Sequence, residues 1–264
     1  PRVGQSYPNY YAAKLASKFV KVVLSGAGGD ELFAGYPWRY YKATKNKNFE
    51  DYIDKYYLFW QRLVENKEII KLFSPISEDF RNVWTRDIFK DVFNKQSLAH
   101  TPEEYVNQSL YFEAKTFLHG LLVVEDKLSM SHSLETRVPF LDNDLVDFAQ
   151  KIPVKYKLKN IHKIKDINEN EFNKKRKTND GKIILKKFVH KDLFKDLQIG
   201  KKQGFSSPDR IWFKGESLNF VKSELFKNKT SFDKYLDKKK LKKLTNEHFT
   251  GKKNRRLFLW SLLN

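Results

Sequence analysis

The chain has 264 residues, of which 40% are hydrophobic and 15% aromatic, enough apolar bulk for one large core or two small ones and too much for overall disorder. Zero Cys excludes disulfides, thiolate nucleophiles, iron–sulfur clusters and Cys-ligated zinc, and His100, His119, His132, His162, His190 and His248 show no metal-ligand spacing. Lys plus Arg is 51 against 32 Asp plus Glu, a net charge of +19. The excess is C-terminal: residues 1–150 carry 19 basic and 20 acidic side chains, residues 151–202 carry 17 and 6, and residues 203–264 carry 15 and 6. No stretch approaches the roughly 18 apolar residues of a membrane span, and no signal-peptide pattern opens the chain. A cytoplasmic protein without a membrane partner is expected.

From the N-terminus, Tyr11, Ala12, Leu15, Ala16 and Phe19 recur at helical spacing, which predicts an amphipathic helix over Tyr7 to Phe19. Val20-Lys21-Val22-Val23-Leu24 is a short, nearly apolar run, the pattern of a strand covered on both faces. Ser25-Gly26-Ala27-Gly28-Gly29-Asp30-Glu31 ends it and leads back into helix, a fragment of α/β architecture. The aromatic-rich stretch from Phe49 to Gln96, broken at Pro75, predicts two or three helices. Thr101, Pro102 and Glu104 have the order of a helix start, with the helix running towards Gly120, and Asp142 is placed to cap another after Pro139. The Lys- and Asn-rich segment 155–182 reads as an exposed insertion. Helix is expected to resume at Ile183 to Leu193 and again from Trp212 to Leu225, separated by a turn at Gln203 to Pro208. The chain is therefore expected to be predominantly α-helical with one or two strands of a parallel sheet.

Three features could carry chemistry. In the first, Ser25, Gly26, Gly28 and Gly29 would let backbone N–H groups approach an anion, and Asp30, at the carboxyl end of a strand, could hold Mg²⁺ beside phosphates. A tight strand-to-helix turn explains the same glycines. In the second, Lys127 and Arg137 could grip phosphate oxygens while Glu135 orients a substrate ammonium or one of those cations. An internal salt-bridge network among Glu125, Asp126, Lys127, Glu135 and Arg137 is the alternative. In the third, Lys201-Lys202-Gln203-Gly204-Phe205 places a lysine before a glycine turn, able to neutralise charge in a cleft or simply to face water.

In this order, the three features resemble the C-terminal synthetase domain of the glutamine-dependent asparagine synthetase family. Ser25 to Tyr36 is similar to that family's Ser-Gly-acidic-Gly-x-Asp-Glu-x-Phe-x-Gly-Tyr segment. Ser129 to Asp142 is similar to its Ser-Met-x-x-x-x-Glu-x-Arg-Val-Pro-Phe-Leu-Asp signature, and Lys202-Gln203-Gly204-Phe205 with Pro208 and Trp212 to its Lys-Gln-Gly-Phe turn. The resemblance implies an α/β fold of the adenine-nucleotide α-hydrolase-like, ATP-pyrophosphatase type. It implies ATP and Mg²⁺ as cofactors, adenylation of a small carboxylate (aspartate by default), and attack by glutamine-derived ammonia to release AMP and pyrophosphate. By the same resemblance Asp30 belongs to the Mg²⁺–pyrophosphate site with Glu31 at the same helix start. Lys127 and Arg137 lie near the phosphates, and Lys202 stabilises negative charge during the reaction.

The family's Ser-Gly-Gly-x-Asp-Ser nucleotide loop and its glutaminase domain are not among these 264 residues. The chain is therefore expected to be the C-terminal part of a larger enzyme, inactive by itself and with unpaired sheet edges that favour homo-oligomers. Ala27 stands where the family usually carries Glu or Asp, which opens the alternative of a catalytically degenerate homologue. A basic helical module for nucleic acid is a further alternative, but the C-terminal charge lacks an aromatic-interleaved basic stripe.

Overall fold

The computed structural model describes residues 5–41, 44–61, 63–94, 99–161, 180–189, 213, 215, 217–227 and 230–263. The N-terminal amphipathic pattern folds as α1 (Ser6–Ala16), followed by the strand β1 (Val22–Leu24) and the single-turn helices α2 (Gly29–Leu32) and α3 (Pro37–Tyr40). The aromatic-rich stretch forms α4 (Phe49–Trp60), α5 (Asn66–Leu72), α6 (Ser77–Phe80) and α7 (Thr85–Asp91). Asn48 starts α4 by accepting the Asp51 N–H, a local side-chain bond that replaces the missing intrahelical one.

Next comes α8 (Pro102–Phe112), opened by a reciprocal capping box between Thr101 and Glu104 as the spacing predicts. The chain does not stop near Gly120. It passes through a π-helical segment, Glu113–Leu118, into α9 (His119–Met130). One glycine costs a helix about 1 kcal/mol, and the packing of α9 on α1 and on the following strand outweighs it. That strand, β2 (Glu135–Arg137), pairs in parallel with β1, Val22 opposite Glu135 and Leu24 opposite Arg137. A 3₁₀ turn at Pro139–Leu141 leads to α10 (Asn143–Lys151), where Asp142 accepts the Asp144 and Leu145 N–H groups, then α11 (Val154–Lys157) and α12 (Ile183–Phe188). Helices at Leu218–Leu225, Lys238–Phe249 and Arg256–Leu263 complete the described chain. The molecule is mostly helical with a small parallel two-stranded sheet. No described helix is long and apolar enough to cross a membrane.

The largest aromatic core lies between α4, α7 and α8. Tyr52, Ile53 and Tyr56 are fully buried against Phe89, Phe93, Tyr105 and Phe112, with Tyr52 stacked on Tyr105 at 4.9 Å. A second core joins α5 to the C-terminal helices through Leu72, Leu241, Leu244 and Phe258.

Two expectations change. β1 is not covered on both faces: Leu24 is 75% exposed and Val22 is exposed too, because among the described residues its one partner strand is β2 and no second layer lies over it. Of the segment 155–182, residues 162–179 are outside the described part, and the ends are not simply exposed. Lys157 and Leu158 are buried, and Leu158 bridges antiparallel to Gly181, since this segment closes over Tyr41, whose hydroxyl donates to the Lys159 carbonyl at 2.7 Å.

Candidate functional site

The glycine segment leaves the carboxyl end of β1 beside the carboxyl end of β2, where the Ser25 N–H donates to the Arg137 carbonyl at 2.8 Å. Crevices outside the carboxyl ends of parallel strands are where α/β sheets bind ligands. Within the loop the Ala27 N–H donates to Ser25 Oγ at 3.2 Å. The glycines are not equivalent. Gly28 has φ +88°, and a Cβ there would fall 2.4 Å from Leu141 Cδ2; one at Gly29 would meet the Phe140 ring at 3.3 Å. Both therefore serve the packing of the loop on the 3₁₀ turn. Gly26 is exposed with no atom within 4 Å of the Cβ position, so its backbone is the one open to a ligand.

Asp30, in the first turn of α2, is partly buried and forms an ion pair at 2.9 Å with Lys182. Gly35 makes room for it, since a Cβ there would lie 1.7 Å from Asp30 Oδ1, and the Gly35 N–H donates to the Asp30 carbonyl at 2.7 Å. Lys182 comes from far along the chain. Gly181 approaches the Ala34 carbonyl so closely that a Cβ would sit 2.1 Å from the oxygen, and the Lys182 N–H donates to the Phe33 carbonyl at 2.9 Å. Lys182 adopts a left-handed φ of 56°, a strained conformation for a residue with a side chain, held by that docking. Sequence reasoning missed Lys182, although Asp180-Gly181 ahead of the apolar Ile183 and Ile184 is a turn signal.

Glu31 departs from its expected place among the nucleotide-binding residues. It is 2% exposed and accepts the Tyr36 hydroxyl at 3.0 Å, so its carboxyl faces the interior, and burial raises its pKa. The helix turns by about 100° per residue, which sends Asp30 and Glu31 to different sides of α2. Further inside, buried Glu113 on the π segment pairs with buried Arg39 at 3.2 Å and accepts the hydroxyls of Tyr56 at 2.8 Å and Tyr40 at 3.2 Å. The Arg39 guanidinium lies 3.9 Å from the Tyr36 ring centroid and 4.5 Å from that of Phe117. Burial pushes the Glu113 carboxyl up to about 7, against the pull of Arg39. This polar centre supports the α2–α3 turn from behind.

Arg137 and Glu135, two residues apart on one face of β2, form an exposed ion pair at 2.9 Å. Lys127 projects from the last turn of α9 into solvent, and its side chain makes no ion pair or hydrogen bond among the described residues. The anticipated network tying Glu125, Asp126 and Lys127 to Glu135 and Arg137 is therefore not formed among them: Glu125 is half-buried, and the other four lie on open surface where water competes for each charge. The Lys201-Lys202 pair and the turn after it lie outside the described residues. The structure thus joins Ser25, Gly26 and Arg137 at one sheet end, with Asp30 on the helix that follows and Lys182, ahead of α12, paired to it.

Among the described residues no three His, Asp or Glu side chains converge as a metal cage. A single carboxylate such as Asp30 still suits Mg²⁺, which takes most of its ligands from phosphate and water. The open backbone at Gly26 suits a phosphate group, so the donor set fits a Mg²⁺–phosphate ligand.

The family model described as asparagine synthase matches residues 1–264. The chain belongs to the asparagine synthase family. It is 28% identical over 293 residues to the glutamine-hydrolyzing asparagine synthetase 1 of Bacillus subtilis (strain 168), covering 97% of this chain and 41% of that protein. Asparagine synthetase 3 of the same strain is 30% identical over 157 residues, 56% of this chain and 23% of that relative. A putative asparagine synthetase 2 of Methanocaldococcus jannaschii is 34% identical over 108 residues, 41% of this chain and 18% of that relative. The chain spans less than half the length of the relatives it matches.

Proposed function

We propose that this chain is part of an ATP-dependent ligase that makes an amide by activating a small carboxylate, aspartate by default, as its acyl adenylate. The carboxylate oxygen attacks the α-phosphorus of ATP, and pyrophosphate leaves. Ammonia then attacks the acyl carbon, the proton it sheds passes to solvent or a nearby base, and AMP leaves. The names of the relatives support glutamine as the source of that ammonia and a synthetase-type reaction.

The observation that carries this reading is the meeting of the Ser25–Gly26 backbone with Arg137 at the carboxyl ends of the parallel pair. In this proposal the Gly26 backbone approaches phosphate oxygens and Arg137 neutralises charge that builds on the leaving pyrophosphate. Asp30 holds Mg²⁺, which when bound would screen the phosphate charges. Lys182 exchanges its carboxylate partner for a phosphate oxygen when the site fills. Lys127 and Glu135 have a weaker claim because they are solvated, and Lys202 is retained from its sequence motif alone. Ala27 supports a second reading, a homologue that kept the fold without a base for ammonia attack.

The test is pyrophosphate release by the full-length protein supplied with ATP, Mg²⁺, aspartate and an ammonium salt. Arg137→Met is expected to lower the rate by about a hundredfold or more, and Asp30→Asn to raise the Mg²⁺ requirement. Full activity in both variants would overturn the assignment. If the unaltered protein is inactive and Ala27→Glu restores release, the degenerate reading replaces it.

A further inference from the structure

A cavity of about 280 Å³ lies behind α2, lined by Glu31 on α2, Glu104, Gln108 and Tyr111 on α8, Gln150 on α10 and Lys157 on α11. No residue of the loop from Ser25 to Asp30 lines it. Exposed Glu104 and Gln150 stand at its solvent side, and Lys157 and Glu31, each 2% exposed, form its interior. Lys157 is anomalous: the residue is only 2% exposed, yet its ammonium makes no hydrogen bond or ion pair among the described residues. An ammonium so enclosed by protein and left without a partner favours a ligand group that can satisfy it. Burial alone drives the Lys157 pKa down to about 8, with no carboxylate acting against it.

The rest of the lining limits what that partner can be. Glu104 spends one oxygen on the His100 and Thr101 N–H groups, at 2.7 and 2.9 Å, but its charge remains, and Glu31 adds a second carboxyl. Two carboxyl groups to one ammonium repel a phosphate dianion. A ligand that carries both signs and is neutral overall suits them, and the amides of Gln108 and Gln150 can bond either end.

We infer that this cavity is a binding site for a small zwitterionic amino acid, its carboxylate on the Lys157 ammonium and its ammonium towards Glu31. The site stands independently of the proposed adenylation chemistry, and its test needs neither ATP nor turnover. Because Glu31 and Asp30 are neighbours on one turn of helix, occupancy would bear directly on the position of Asp30.

Titration calorimetry of the 264-residue chain with glycine, L-alanine and L-serine, alongside acetate, methylamine and inorganic phosphate, tests this. The amino acids are expected to bind at least about tenfold more tightly than acetate or methylamine, and phosphate not to bind at this site. Lys157→Met, which keeps the stem and removes the charge, is expected to weaken amino-acid binding by about 30-fold or more while thermal unfolding shows the fold intact. If that variant does not fold, a change at Ala114, which also lines the cavity, replaces it: Ala114→Leu, which narrows the cavity with Lys157 in place, is expected to show the same loss. Equal amino-acid affinity in the folded variants, phosphate competing with the amino acids, or no amino-acid binding at millimolar concentration would overturn the inference.

Discussion

The aromatic core under α4 and the sheet corner at β1 are built from similar residue types and end in opposite states. In the core, Tyr52 and Tyr56 are fully buried, their hydroxyls spent on Ser109 and Glu113, and Phe89, Phe93 and Phe112 close around them. At the sheet, Phe19 is 77% exposed, and Leu15, Val22 and Leu24 also face water. Helices can satisfy their own backbones and meet side by side, so a few short segments complete a core. A strand needs neighbours on both edges and a layer on each face, and β1 has one neighbour among the described residues. An apolar sequence therefore records a demand for cover, and only the assembled elements show whether it is met.

The largest effect is expected at Arg39. Arg39→Met leaves Glu113 buried without its cation, and a loss of about 3–5 kcal/mol is expected in urea unfolding; a loss under about 1 kcal/mol would mean that the tyrosine hydroxyls alone hold the carboxylate.

The pH dependence sharpens the same point. A carboxyl with a pKa of about 7 in the folded state and 4.5 as its ordinary value binds its proton more tightly when folded. Its contribution to stability is therefore complete below about 4.5 and is lost as pH rises through 7. Unfolding free energy measured between those values should fall with rising pH, and Glu113→Gln should flatten the slope; an unchanged slope would remove Glu113 as its origin.

The smallest effect belongs to the sheet corner. Leu24→Lys and Phe19→Glu should change stability by no more than about 0.5 kcal/mol, since these side chains contribute little where they stand. A loss several times larger would show that this surface is covered in solution, and sedimentation of the two variants beside the unaltered chain would show whether a second copy covers it.

Local chemistry explains which features were legible beforehand. The Thr101–Glu104 box, the Asp142 cap, α1 and the turn from β1 into α2 depend on residues within a few positions of one another, so spacing and residue type revealed them. β2 was harder to read: Glu135-Thr136-Arg137 is polar and short, and it becomes a strand by pairing with a segment more than a hundred residues earlier. Among the candidate site residues, motifs pick out Ser25, Gly26, Asp30 and Arg137, whereas motif position does not distinguish the partly exposed side of α2 at Asp30 from its buried side at Glu31.

The amino-acid sequence by itself determined a helical chain, its principal caps, a glycine turn after an apolar strand, and membership in a family whose signatures survive as short contiguous words. Tertiary structure alone decided that Gly28 and Gly29 pack against Leu141 and Phe140 while Gly26 stays open, that Lys182 reaches Asp30, and that Arg39 meets Glu113 across 74 positions. It also decided that Lys157, one of many lysines, lies buried beside a cavity. The reason is the range of the forces involved. Capping and periodicity act within a turn of helix, but burial and charge pairing depend on which distant segments the core brings together.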